Sequence, residues 1–103
     1  MRLIIRTLQR RTNFPTLRFY IPDVLKTMPV EFDSHQFIGT FINQEELTYI
    51  HALRDAGLNK PFQTVNDAII HWLGESGLVQ QVGSRESENM FKQVRPAAVW
   101  RKV

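Results

Sequence analysis

The sequence contains no cysteine, which excludes disulfide staples and thiolate metal sites together. It has no uninterrupted apolar run near the ~18 residues that a membrane-spanning helix requires. The opening Met-Arg-Leu-Ile-Ile-Arg lacks the apolar core of a secretory leader. These absences predict a cytoplasmic protein with no membrane segment. Internal repeats and low-complexity tracts are missing, and no catalytic or cofactor motif stands out, so neither enzymatic activity nor a bound cofactor is expected. What remains is a chain of 103 residues, 43% apolar, long enough for one domain with a single modest core.

The net charge of +3 is unevenly spread. Residues 1–27 hold Arg2, Arg6, Arg10, Arg11, Arg18 and Lys26 against Asp23 alone. Residues 28–82 hold only Arg54 and Lys60 against seven acids, and residues 83–103 hold five bases against Glu86 and Glu88. An acidic centre thus lies between two basic ends. Either the ends fold over the centre and neutralise it, or they reach outward toward a polyanion such as nucleic acid.

The clearest element is centred on residues 64–76. Val65, Ala68, Ile69, Trp72 and Leu73 recur at helical spacing, the signature of a helix packed on a core. Thr64 is placed to cap it with Asp67 in the reciprocal position, and Gly77 to stop it with Leu78 folding over Leu73. Upstream, Asp33 with Gln36 reads as a capping box and Phe32 can staple onto Phe37, opening a helix whose stripe is Phe37, Ile38, Phe41 and Ile42. Asn43 with Glu46 suggests a second helix with Leu47, Ile50 and Leu53 inside, ended by Gly57 with Leu58 over Leu53. Residues 2–9 and 16–21 are short and rich in β-branched or aromatic residues, and Leu17, Phe19 and Ile21 alternate with Arg18 and Tyr20, which predicts a strand. Pro22 blocks its continuation, leaving Asp23–Thr27 as one helical turn at most. Strands are also predicted over 78–82 and 97–103, with residues 83–96 as a long polar loop.

The expected fold is therefore α+β: a three-helix core with a C-terminal β-hairpin and an N-terminal strand element, in a single domain made of a basic arm (1–27) and a core (32–103). Three helices followed by a hairpin with a basic tip, the GLVQQVG passage and the closing AVWRKV together resemble a winged helix-turn-helix domain over residues 32–103. The resemblance implies that the helix of residues 65–76 enters a DNA groove and that Arg85, Lys92 and Arg95 lie along phosphates. Only Asn66, His71 and Ser76 could then read base edges from that helix, and the charge of the basic arm adds Arg10, Arg11 and Arg18 as candidate nucleic-acid contacts. Residues 64–77 carry no lysine or arginine and do carry Asp67 and Glu75. The alternative is a protein-interaction module, of the accessory kind carried by phages and mobile elements.

Other chemistry is weakly represented. His51 and Asp55 are one helical turn apart, but His35 and His71 would have to complete a metal site from elsewhere, and no metal is expected. Ser34, Ser76, Ser84 and Ser87 fall at caps, stops and loops, and Glu45 with Glu46 suits a helix N-terminus. Trp72 and Trp100 read as core, whereas Phe14, Phe62 and Phe91 sit in connectors and would form an interaction surface if exposed. Leu3, Ile4, Ile5, Leu8, Leu17, Phe19 and Ile21 exceed what a solvated tail needs, and this surplus predicts a homodimer that pairs or exchanges the N-terminal segments.

Overall fold

In the computed structural model, which describes residues 14–103, the chain runs α1 (Pro15–Leu25), β1 (Glu31–Asp33), α2 (Ser34–Gln44), α3 (Glu46–Ala56), α4 (Pro61–Glu75), β2 (Val79–Glu88) and β3 (Val94–Lys102). The three strands form one antiparallel sheet in the order β1-β3-β2. The fold is α+β with a C-terminal hairpin, as the residue pattern predicts. None of its helices is long and apolar enough to cross a membrane among the described residues.

The first correction is α1. Residues 16–21 are helical, not extended, because Leu17, Ile21, Val24 and Leu25 follow helical spacing and all are buried, whereas Phe19, needed for the strand pattern, is 74% exposed. Pro15 at the start supplies a pre-set φ. Pro22 lies inside the helix without ending it. It cannot donate to the Arg18 carbonyl, but both residues are on the exposed side, where water can serve that group. The expected strand over 2–9 lies outside the described residues.

The helix α2 starts as expected. The Asp33 carboxylate accepts from the Gln36 N–H at 2.9 Å, the Gln36 side chain accepts from the Asp33 N–H at 2.8 Å, and the Phe32 and Phe37 rings stack at 5.8 Å. It then runs through Asn43, so the next helix begins at Glu46 without a side-chain cap. This shift turns a different face of α3 inward. Tyr49 and Ala52 are buried and Leu53 is half-buried, while Leu47 and Ile50 face outward. Gly57, at φ 83°, ends α3, but Leu58 is fully exposed and does not close over Leu53.

The central helix starts earlier than expected, at Pro61, so Thr64 lies within it rather than capping it. Val65, Ala68, Ile69 and Leu73 are buried, and Trp72 is half-buried at the core's edge. Gly77 takes φ 75° and turns the chain into β2, but Val79, not Leu78, enters the core. Trp100 pairs across the sheet with Phe32 and donates from Nε1 to Ser34 Oγ at 2.9 Å. Its ring lies against Gly74, where an added Cβ would sit 3.5 Å away.

Residues 83–96 are not a loose loop. Pairing continues from Val79 opposite Lys102 to Glu88 opposite Val94, interrupted by a bulge between Gln81 and Gly83. This ribbon is polar on both faces, so hydrophobic alternation cannot mark it. The bulge bends the long outer strand, a device that limits edge-to-edge pairing.

Two glycines give opposite expectations. Gly39 occupies an open helical position, so Gly39→Ala should stabilise by about 0.5–1 kcal/mol. At Gly77, φ 75° penalises any Cβ despite the open space, so Gly77→Ala should destabilise by about 1 kcal/mol or more. Urea midpoints moving in opposite directions would check the pair.

Candidate functional site

The residues singled out by sequence fall into three groups. Arg85 is spent internally. Its Nε donates to Asp33 Oδ2 at 3.0 Å and its Nη2 to Gln36 Oε1 at 3.0 Å, so it fastens the ribbon to the start of α2. Two residues further along each segment, in the same seam, His35 Nδ1 and Ser87 Oγ share a hydrogen bond of 2.7 Å. Arg101 pairs with Glu31 at 2.8 Å, and Lys102 Nζ donates to the Met28 carbonyl. The basic C-terminal block thus partly neutralises the acidic centre.

A second group lies on α1 and the C-terminal half of α4. The Arg18 guanidinium sits 4.9 Å from the Trp72 ring centre, and His71 meets Trp72 edge-on at 4.9 Å. Eleven residues of helix separate His71 from Lys60, about 16 Å along the axis. His71 is exposed beside Trp72, and no hydrogen bond or ring contact joins it to the hairpin tip among the described residues. His51 and Asp55 line a cleft with Phe14 and Arg54, distant in sequence and partner from His35 and His71. No three histidine, aspartate or glutamate side chains converge among the described residues.

The third group forms a surface. The tip is a tight turn built by Asn89, whose Oδ1 accepts from the N–H groups of Phe91 at 2.9 Å and Gln93 at 3.0 Å, while the Lys92 N–H donates to the Asn89 carbonyl. Lys92 takes φ 64°, where such turns favour glycine or asparagine. The tip rests on the first turns of α4. Met90 Sδ lies 3.4 Å from Asn66 Nδ2, and the Tyr49 hydroxyl donates to Asn66 Oδ1 at 2.7 Å. Asn66 is therefore a support of the tip rather than a free base reader. Burial pushes the Tyr49 hydroxyl up to about 12, keeping it a neutral donor.

Above this support the rings of Phe62 and Phe91 meet edge-to-face at 5.4 Å, 42% and 50% exposed. Lys60, in the left-handed conformation at the start of α4, and Lys92 flank them. Neither lysine is held in an ion pair among the described residues. Arg95 is exposed on β3 and, among the described residues, donates to the Val94 carbonyl alone. Sequence reasoning marked Phe62, Phe91, Lys92 and Arg95 and missed Lys60. Its signal is the Lys-Pro-Phe junction, with proline at the first helical position. Arg10 and Arg11 lie outside the described residues.

Comparison of the chain with protein-family models, with curated proteins and with solved structures finds no match.

The seam that holds the ribbon should be pH-sensitive. Burial alone would raise the Asp33 carboxyl, but the Gln36 N–H, the Arg85 guanidinium and the Ser87 hydroxyl outweigh it and hold it below its ordinary 3.8. A lowered acid stabilises the fold fully above its unfolded value and loses that contribution as pH falls through the folded value. Thermal stability should therefore drop below about pH 4, and Asp33→Ala should remove this acid limb while costing about 2 kcal/mol or more at neutral pH. Melts from pH 7 to pH 2 on both proteins check it.

Proposed function

We propose that the protein binds nucleic acid through the surface made by the start of α4 and the hairpin tip, assisted by the basic N-terminal residues. The observation that carries this reading is the pair of half-exposed rings, Phe62 and Phe91, bracketed by two lysines that are in no ion pair among the described residues. Cations beside exposed aromatic rings suit phosphates beside bases. The sheet order β1-β3-β2, with a helix leading directly into the hairpin, is in keeping with a winged helix-turn-helix arrangement, in which the early residues of such a helix approach the nucleic acid. Both lysines also occupy left-handed backbone conformations, and strain of this kind concentrates at functional sites. A non-enzymatic, cytoplasmic protein is part of the proposal.

Charge limits the mode of binding. Residues 14–103 contain nine basic and ten acidic residues, so the surplus positive charge belongs to Arg2, Arg6, Arg10 and Arg11. A few phosphate contacts from the surface, with more from these arginines, should give a moderate slope of log affinity against log salt, about −0.9 per contact on duplex. Fluorescence anisotropy with labelled oligonucleotides tests it. Lys60→Gln with Lys92→Gln should cut affinity at least about tenfold and flatten the slope by close to two contacts. Binding that is absent even at low salt would sink the proposal.

Lys92 permits a sharper test. Lys92→Gly should relieve the left-handed backbone and stabilise the fold by about 1 kcal/mol, yet weaken nucleic-acid binding. A protein that becomes more stable and binds as before would show that the cation at the tip is idle.

A second reading, contact with a protein, is favoured by Leu47, Ile50 and Leu58, which are exposed along and just beyond α3. A second copy of the chain is the first partner to test. The route imagined from sequence, exchange of strands over 1–27, loses half its basis because Leu17 and Ile21 are buried in the chain's own core. Sedimentation should show a dimer that dissociates on Leu47→Glu with Ile50→Glu. A monomeric full chain at micromolar concentration rejects this reading.

A further inference from the structure

We infer that the Phe62–Phe91 pair stacks on unpaired bases, so that the surface selects single-stranded over duplex nucleic acid. The inference rests on the nucleic-acid reading above and names its substrate class. A duplex hides the faces of its bases in the stack, and a protein that grips it along a groove needs cations spaced along the gripping helix. Beyond Lys60, α4 has none, and Asp67 and Glu75 lie on its exposed side. Glu86 and Glu88 occupy the ribbon below the tip. The path open to phosphates is therefore short, from Lys60 across the tip to Lys92 and Arg95. It suits one strand.

A single strand offers what this surface is shaped to receive. The two rings are nearly perpendicular, at 82°, and each is about half exposed, so each can present apolar surface to a separate base. They are also pre-positioned. Phe62 stands on the first turn of α4, the Phe91 N–H is tied to Asn89, and the adjacent Met90 is seated on Asn66 and Tyr49. Rings fixed before binding lose little freedom on stacking, and stacking on an aromatic side chain tolerates any base.

The test uses the full chain, a labelled 12-nucleotide oligothymidine, and a 12-base-pair duplex, at low and moderate salt. Single-strand affinity should exceed duplex affinity by about tenfold or more, and Phe62→Leu and Phe91→Leu should each weaken only single-strand binding, by about fivefold to tenfold. Because either substitution alters a ring contact, proton shifts of both phenylalanine rings are also followed in the unsubstituted protein as oligothymidine is added. Upfield movement of both supports stacking. Equal or tighter duplex binding, or ring signals that do not move at saturation, overturns the strand preference while leaving nucleic-acid binding intact. Failure to bind either form at low salt overturns both, and leaves the surface to a protein partner.

Discussion

The Asp33 carboxylate is the point on which the arrangement of sheet, helices and hairpin depends. It ends β1, caps α2 and accepts from Arg85 of the ribbon, all from a residue that is 1% exposed. Burying a carboxylate is tolerable only when its oxygens are satisfied, and here a backbone N–H and a guanidinium do so. One residue earlier Phe32 is fully buried and pairs with Trp100, and one residue later Ser34 accepts from that indole. Three consecutive side chains thus join the helical core to the sheet. The ribbon is exposed along most of its length, so its direction is set by this seam and by the contact at its tip.

Features encoded by neighbours in sequence were legible from sequence. The Asp33–Gln36 capping box, the Phe32–Phe37 staple, the glycine turns at Gly57 and Gly77 and the inner face of the central helix all rest on residues within one or two turns of each other and are found in the structure, although Leu58 and Leu78 do not fold back over their helices. Features decided by competition between patterns were not. Over residues 17–21 a period of two and a period of 3.6 both fit, and only continuation through Val24 and Leu25 separates them. A proline that should have forbidden that continuation falls on the solvent side, where its missing donor costs little. Similarly Asn43 has the chemistry of a cap, yet the chain keeps α2 going and leaves α3 uncapped, which rotates its inner face from Leu47 and Ile50 to Tyr49 and Ala52.

The candidate site was half legible for a related reason. Residue type marks exposed aromatic and basic side chains, but it cannot say which cations the fold consumes. Arg85 and Arg95 are equivalent in sequence terms, ten residues apart in one polar stretch. One is drawn to a buried carboxylate 52 positions upstream and the other is left at the surface. Asn66 likewise looks like a base reader until Tyr49 and Met90 claim its amide. Such assignments are tertiary, and of the six sequence-marked residues that the structure describes they leave Lys92 and Arg95 as the cations at or near the tip.

Internal pairing also decides what kind of recognition this body can perform. Arg85, Arg101, Lys26 and Arg54 each face an acid, Lys102 faces a carbonyl and Arg18 lies over Trp72. The exposed pairs among them add little stability, but they cancel the field that steers a polyanion over long range. Screening over about 8–10 Å at physiological salt weakens what remains. Under the proposed nucleic-acid binding, attraction at a distance comes from the arginines of residues 1–13 and discrimination from short-range contact at the tip. There two phenylalanine rings stay about half exposed, and Lys60 and Lys92 hold left-handed conformations that glycine would fill at lower cost.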